Sequence, residues 1–163
     1  MSNFWLIGLS NSFHLIATVV WIGWGVLLPL VVSPHVAAAH QEGDWRGGLL
    51  RRISVAYGAA LLLWATGMLQ MSANANYEGF LAIGGTWSLL MLAKHLVVLV
   101  NIGLMLLLGH QLSPALRLAV RRDALGKVNN LDALAGRFRV VAWLNLVVCL
   151  AVLALTGLLT AVP

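Results

Sequence analysis

Three ionisable side chains, His14, Lys94 and His95, lie deep inside long apolar runs. Groups of this kind are costly away from water, so a chain that keeps them there pairs them or uses them. His14 shares a helical face with Ser10, Thr18, Trp21 and Gly25, at intervals of three and four residues. Ser88, Met91 and His95 make a second face, with Lys94 and Asn101 beside it. Tyr57, Trp64, Met68 and Met71 make a third, and Asn145, Cys149, Thr156 and Thr160 a fourth. Imidazole ligates copper, zinc and iron. Two imidazoles at one depth on parallel helices can clamp a planar heme b, whose properties are tuned by its axial ligands. His14 and His95 are the pair expected in that role, with Met68 as a soft alternative ligand. Trp21 and Trp64 would pack the ring and Lys94 would neutralise a propionate. His110, at the end of its run, joins His35 and His40 after the Ser33-Pro34 break in a candidate second metal site. The plainer alternatives are hydrogen bonds between helices for the histidines, core packing for the methionines and snorkelling for Lys94.

The elements that position these groups follow from composition. Of the 163 residues, 61% are hydrophobic and 9% charged, against about 25% charged in a soluble domain. Four runs reach the ~20 apolar residues of a membrane-spanning helix: about 4–32, 53–72, 87–112 and 140–162. The fold expected is all-α, a single integral membrane domain over 1–163 forming a four-helix up-down-up-down bundle joined by short loops. The first connection, Ser33 to Arg52, and the third, Ser113 to Arg139, carry the Lys and Arg residues outside the runs, whereas Ala73 to Thr86 has none. That asymmetry puts the basic connections in the cytoplasm and both termini on the outer, periplasmic side, consistent with a bacterial inner membrane. Leu116, Leu118, Val120 and Leu125 among arginines suggest a short interfacial helix in the third connection. Beyond a loose likeness between the helix pairs, no internal repeat stands out.

Several function classes are excluded on the same residues. The net charge of +5 comes from those basic connections, which fits a bilayer surface and not nucleic acid. The single cysteine, Cys149, supports neither a disulfide framework nor a Cys-based zinc site. No carboxylate lies within an apolar run, which argues against a carboxylate proton relay or a Ser-His-Asp hydrolase.

The segment His14-Leu-Ile-Ala-Thr-Val-Val-Trp21-Ile-Gly23-Trp-Gly25, followed by Pro29 and Pro34, resembles the first helix of the CopD (copper-resistance D) family. There a His near the helix start precedes a Trp-x-Gly-Gly-like turn. Leu89 to Leu108, with Lys94 and Asn101, is similar to that family's Lys-containing helix, and Phe138 to Thr160 to its last helix. The resemblance spans nearly the whole chain, as a four-helix domain without the extra helices of many members. A more distant resemblance is to HemJ, the four-helix protoporphyrinogen oxidase, which His14, Lys94 and His110 would match. The fourth run departs from it, reading Trp143-Leu-Asn145-Leu-Val where that family has Asn-Glu-x-Pro. The first resemblance implies a membrane-embedded redox metal site; heme b is favoured there because His14 and His95 are expected at one level on parallel helices, with electron transfer beside other membrane subunits or within a homo-oligomer. Copper binding or transport is the alternative it carries. Porphyrinogen oxidation follows from the second, and a cofactor-free structural subunit is the remaining expectation.

Overall fold

A backbone in hydrocarbon must satisfy its own amides, and long continuous apolar runs do so as helices. A computed structural model of the chain describes residues 2–35, 53–79, 81, 83–127 and 130–162. No strand occurs among the described residues. Four helical stretches are long and apolar enough to cross a membrane: Phe4–Val32, Ser54–Ser72, Thr86–Ala124 and Leu131–Thr160.

In chain order, α1 (Ser2–Leu27) runs through a π-turn (Leu28–Val32) into a last helical turn, Ser33–His35. After the first connection comes α2 (Ser54–Ser72). Next, α3 (Thr86–Leu106) passes through a second π-turn (Leu107–Leu112) into α4 (Ser113–Ala124). The chain closes with α5 (Leu131–Thr160). Each π-turn precedes a Ser-Pro pair, Ser33-Pro34 or Ser113-Pro114. A proline inside a helix removes an amide donor and crowds the turn before it. The wider π-turn relieves the crowding, and the serine hydroxyls take carbonyls left over. Ser33 Oγ donates to the Pro29 carbonyl at 2.9 Å, and Ser113 Oγ to that of Leu108 at 2.6 Å.

The connection expected over Ser113 to Arg139 is instead largely helical, and α5 starts at Leu131 rather than Val140. The reason is amphipathicity. Ser113, Leu116 and Ala119 are buried on α4, and Leu131, Ala135 and Phe138 on α5, so the two helices close on a shared apolar seam. Leu118 and Leu125, expected on the apolar side, are exposed. Gly126, at φ +67°, ends α4. Its N–H donates to the Asp123 carbonyl and that of Lys127 to the Arg122 carbonyl, the double bond pattern of a left-handed helix cap. Arg117, Arg121, Arg122, Arg137 and Arg139 thus stand on helices and not in a loop. The second connection keeps its expected limits. Most of the first, residues 36–52 with His40, lies outside the described residues, as does the His35 side chain.

Two close pairs, α1 with α2 and α3 with α5, meet chiefly along α1 and α5. Gln70 Nε2 donates to the Ser10 carbonyl, and His14 meets Thr66, so α1 and α2 run antiparallel. The main core gathers at the π-turn end, where Trp24, Leu28, Val32, Ile53, Met105, Leu108, Leu116 and Phe138 pack together. A smaller cluster of Met71, Trp87 and Leu159 closes the other end. Between them fewer side chains are buried, and there the polar residues lie.

Candidate functional site

His14 projects from α1 toward α2. Thr66 Oγ1 donates its one proton to the Leu62 carbonyl at 2.6 Å. It therefore accepts from the His14 Nδ1–H across 2.8 Å. That fixes the His14 tautomer and puts the lone pair on Nε2, the arrangement that orients a metal-ligating imidazole. The neighbouring residue, Gly67, leaves room for the ring: a Cβ there would stand 3.5 Å from His14 Cε1. On α3, Lys94 lies two turns before Asn101 on the same helical face. His95 Nδ1 lies 2.7 Å from the Met91 carbonyl. A carbonyl only accepts, so His95 carries a proton on Nδ1. Both imidazoles are half-buried.

Two turns further in, a polar network ties three helices. Trp21 Nε1 donates to Asn101 Oδ1 at 2.7 Å. Asn101 Nδ2 donates to Asn145 Oδ1 at 3.1 Å and lies 3.2 Å from both the Asn145 carbonyl and Cys149 Sγ. Asn101 and Asn145 are almost wholly buried. Gly25 brings α1 against this knot, since a Cβ on it would meet Cys149 Sγ at 3.2 Å. Trp21 meets Asn101 at one level, and Trp24, Leu28 and Val32 pack with Met105 and Leu108 at the π-turn end, so α1 and α3 run in the same direction. His95 then sits one residue, about 1.5 Å, deeper than the level of His14.

The remaining expected site residues are dispersed. Met68 and Met91 pack against the Met71, Trp87 and Leu159 cluster. Trp64, expected to pack a ring in the core, is 64% exposed on the outside of α2. His110 is exposed at the π-turn end, its ring parallel to that of Tyr57 with centroids 5.4 Å apart. Tyr57 Oη donates to the Met105 carbonyl at 3.2 Å and lies against Gly109. His110 is therefore distant from His14, and with His35 and His40 its grouping lies outside the described residues. Thr66 escaped the sequence reading. Its signal is weak because a threonine in a helix ordinarily bonds its own backbone, as this one also does.

Among the described residues no three His, Cys, Asp or Glu side chains converge on one point. A bare zinc ion wants four such ligands; a heme iron brings four ring nitrogens and needs two more. Comparisons with protein-family models, curated proteins and solved structures return no match to this chain.

Proposed function

We propose that the chain is an integral membrane four-helix protein that holds heme b between its two helix pairs for electron transfer. The observation that carries this reading is that His14 Nδ1 and His95 Nδ1 each lie against an oxygen of the protein, Thr66 Oγ1 and the Met91 carbonyl. A bond from Nδ1 to the protein is the contact that orients an imidazole ligating a metal through Nε2. The helices cross in up-down-up-down order. The arginines of α4 and of the start of α5 stay on the cytoplasmic side of a bacterial inner membrane, with both termini outside. Heme b supplies a reversible one-electron couple. The protein's part is to fix the two imidazoles, exclude water with Trp21 and Ala17, and present lipid with the exposed apolar side chains of all four helices. Other membrane subunits, or a second copy, would carry electrons to and from the site.

Copper binding is a second reading, favoured by the methionine cluster. Met68, Met71 and Met91 gather around Trp87, and thioethers suit Cu(I). One experiment separates the two: an absorption spectrum of the detergent-purified chain, oxidised and dithionite-reduced, with metal analysis of the same sample. Sharp reduced bands of low-spin heme, lost in both His14→Ala and His95→Ala, support the heme reading. Stoichiometric copper in a colourless sample, lost in Met71→Ala, replaces it with the copper reading. A colourless, metal-free, folded sample sinks both.

A further inference from the structure

One side of α4 is spent on the seam with α5, where Ser113, Leu116 and Ala119 are buried. The other side is open. Among the described residues, Pro114, Arg117, Leu118 and Arg121 line a cleft there of about 320 Å³, a volume within the range of small-ligand sites. Positions three and four apart share a helical face, so these four side chains make one stripe. Leu118, in the middle of it, is 51% exposed. The stripe is therefore half basic and half apolar, and both halves face outward.

The basic half is short of an anion. Arg117 and Arg121 stand one turn apart, the spacing at which like charges on a helix repel. The acidic residues of the hairpin stand elsewhere. Asp123 follows Arg121 by two residues and so lies about 200° round the helix, on the side of the seam. Asp132 opens α5, across that seam. A phosphate between the two guanidiniums turns their repulsion into paired, charge-assisted hydrogen bonds, for which the planar fork of arginine is shaped.

The apolar half decides which phosphate. From Thr86 to Leu112 the helix rises about 40 Å at ~1.5 Å per residue, close to the ~40–45 Å of a bilayer with its headgroups. The start of α4 thus lies at the headgroup layer, and long arginine stems reach back into it. A free phosphate ion would leave Pro114 and Leu118 against water. A phospholipid covers the whole stripe, with its phosphate on the arginines and its glycerol and first methylenes on Pro114 and Leu118.

We propose that the α4 cleft binds one anionic phospholipid, with Arg117 and Arg121 holding the phosphate oxygens and Pro114 and Leu118 the start of the hydrocarbon. This is distinct from the general pull of a negative leaflet on basic residues, in which Arg122, Arg137 and Arg139, off this stripe, take an equal part. The site does not depend on the heme reading.

The test is native mass spectrometry of the full-length chain in detergent holding equal amounts of phosphatidylglycerol and phosphatidylcholine of the same acyl chains. Wild type is expected to retain one phosphatidylglycerol, favoured about ten-fold or more over phosphatidylcholine, as two arginines near a headgroup allow. Arg117→Gln with Arg121→Gln abolishes that preference, whereas Arg122→Gln with Arg139→Gln, the same loss of charge off the stripe, keeps it. Leu118→Asn leaves both guanidiniums in place and tests the site again should the first double variant not fold: it is expected to lower retention, and unchanged retention overturns the proposal. Equal loss in the two double variants reduces the effect to diffuse charge and overturns the cleft. Displacement of the lipid by an equal concentration of inorganic phosphate, or of polyglutamate, overturns the lipid in favour of a free anion or an acidic protein segment.

Discussion

Replacing Thr66 by Val keeps the shape of the side chain and removes the oxygen that accepts the His14 Nδ1–H. The ring then loses its fixed tautomer and orientation, although nothing in the packing changes. Thr66→Val is expected to weaken heme binding about 10–100-fold, read by porphyrin titration, with an unchanged helical circular-dichroism spectrum. Asn101 is a different case, because it joins α1, α3 and α5 and all its polar atoms are engaged. Asn101→Leu strands the Trp21 indole N–H and the Asn145 oxygen. It should cost about 1–2 kcal/mol, the upper part of the range for hydrogen bonds within membranes, measured by unfolding in mixed SDS micelles. The intervals along α1 brought out Ser10, His14, Thr18, Trp21 and Gly25 as one face, and all five do look toward other helices or their own turn. On α2 the same arithmetic put Trp64 with Tyr57 inside. The spacing of seven is sound; what fails is the cover. α3 reaches that side of α2 at Tyr57 and not at Trp64, a matter of how helices splay, which a one-helix periodicity does not contain.

Among elements, the four apolar stretches and the second connection were legible because hydrocarbon demands both length and internally bonded backbone. The α4–α5 hairpin was not. Its arginines read as a loop because charge was weighed without phase, yet they occupy the outer side of helices whose inner side is Leu116, Ala119, Ala135 and Phe138. Phe138 is fully buried in that seam. Phe138→Ala is expected to cost about 3 kcal/mol or more, the range for large-to-small changes in a packed core. Because the seam lies at the arginine-bearing ends of the Thr86–Ala124 and Leu131–Thr160 stretches, limited proteolysis should report the loss as cleavage near Gly126 well before the rest of the bundle is attacked.

For the whole molecule, the distribution of charge decides orientation. Every described arginine lies on α4 or the first turns of α5, at the π-turn end of the bundle. A reporter that folds only outside the cytoplasm, fused after Pro163, is expected to be active, and a cytoplasm-only reporter silent; the reverse would invert the orientation. Ile22-Gly23 and Ser33-Pro34 recur as Ile102-Gly103 and Ser113-Pro114, and Thr66-Gly67 as Thr156-Gly157, but the likeness stays loose because the offset is 80 residues between first helices and 90 between second ones. The extra length of the second half falls in the connection that became α4 and its turn. Matching positions therefore fall out of step midway.

The π-turn at Leu107–Leu112 has one more consequence. A π-turn holds one residue more than an α-turn, yet the helix leaves it on the same heading. The chain thus carries a spare residue there, a slack link that can be lost without turning anything downstream. Deleting Gln111, which is exposed, should tighten the turn to ordinary α-geometry and leave Arg117 and Phe138 facing as before. Deleting Leu99, equally exposed but within regular helix, would rotate everything beyond it by about 100°, pulling Asn101 out of its knot. A monodisperse elution profile for the first deletion and aggregation for the second would show that length changes in this helix are tolerated only where the slack is stored.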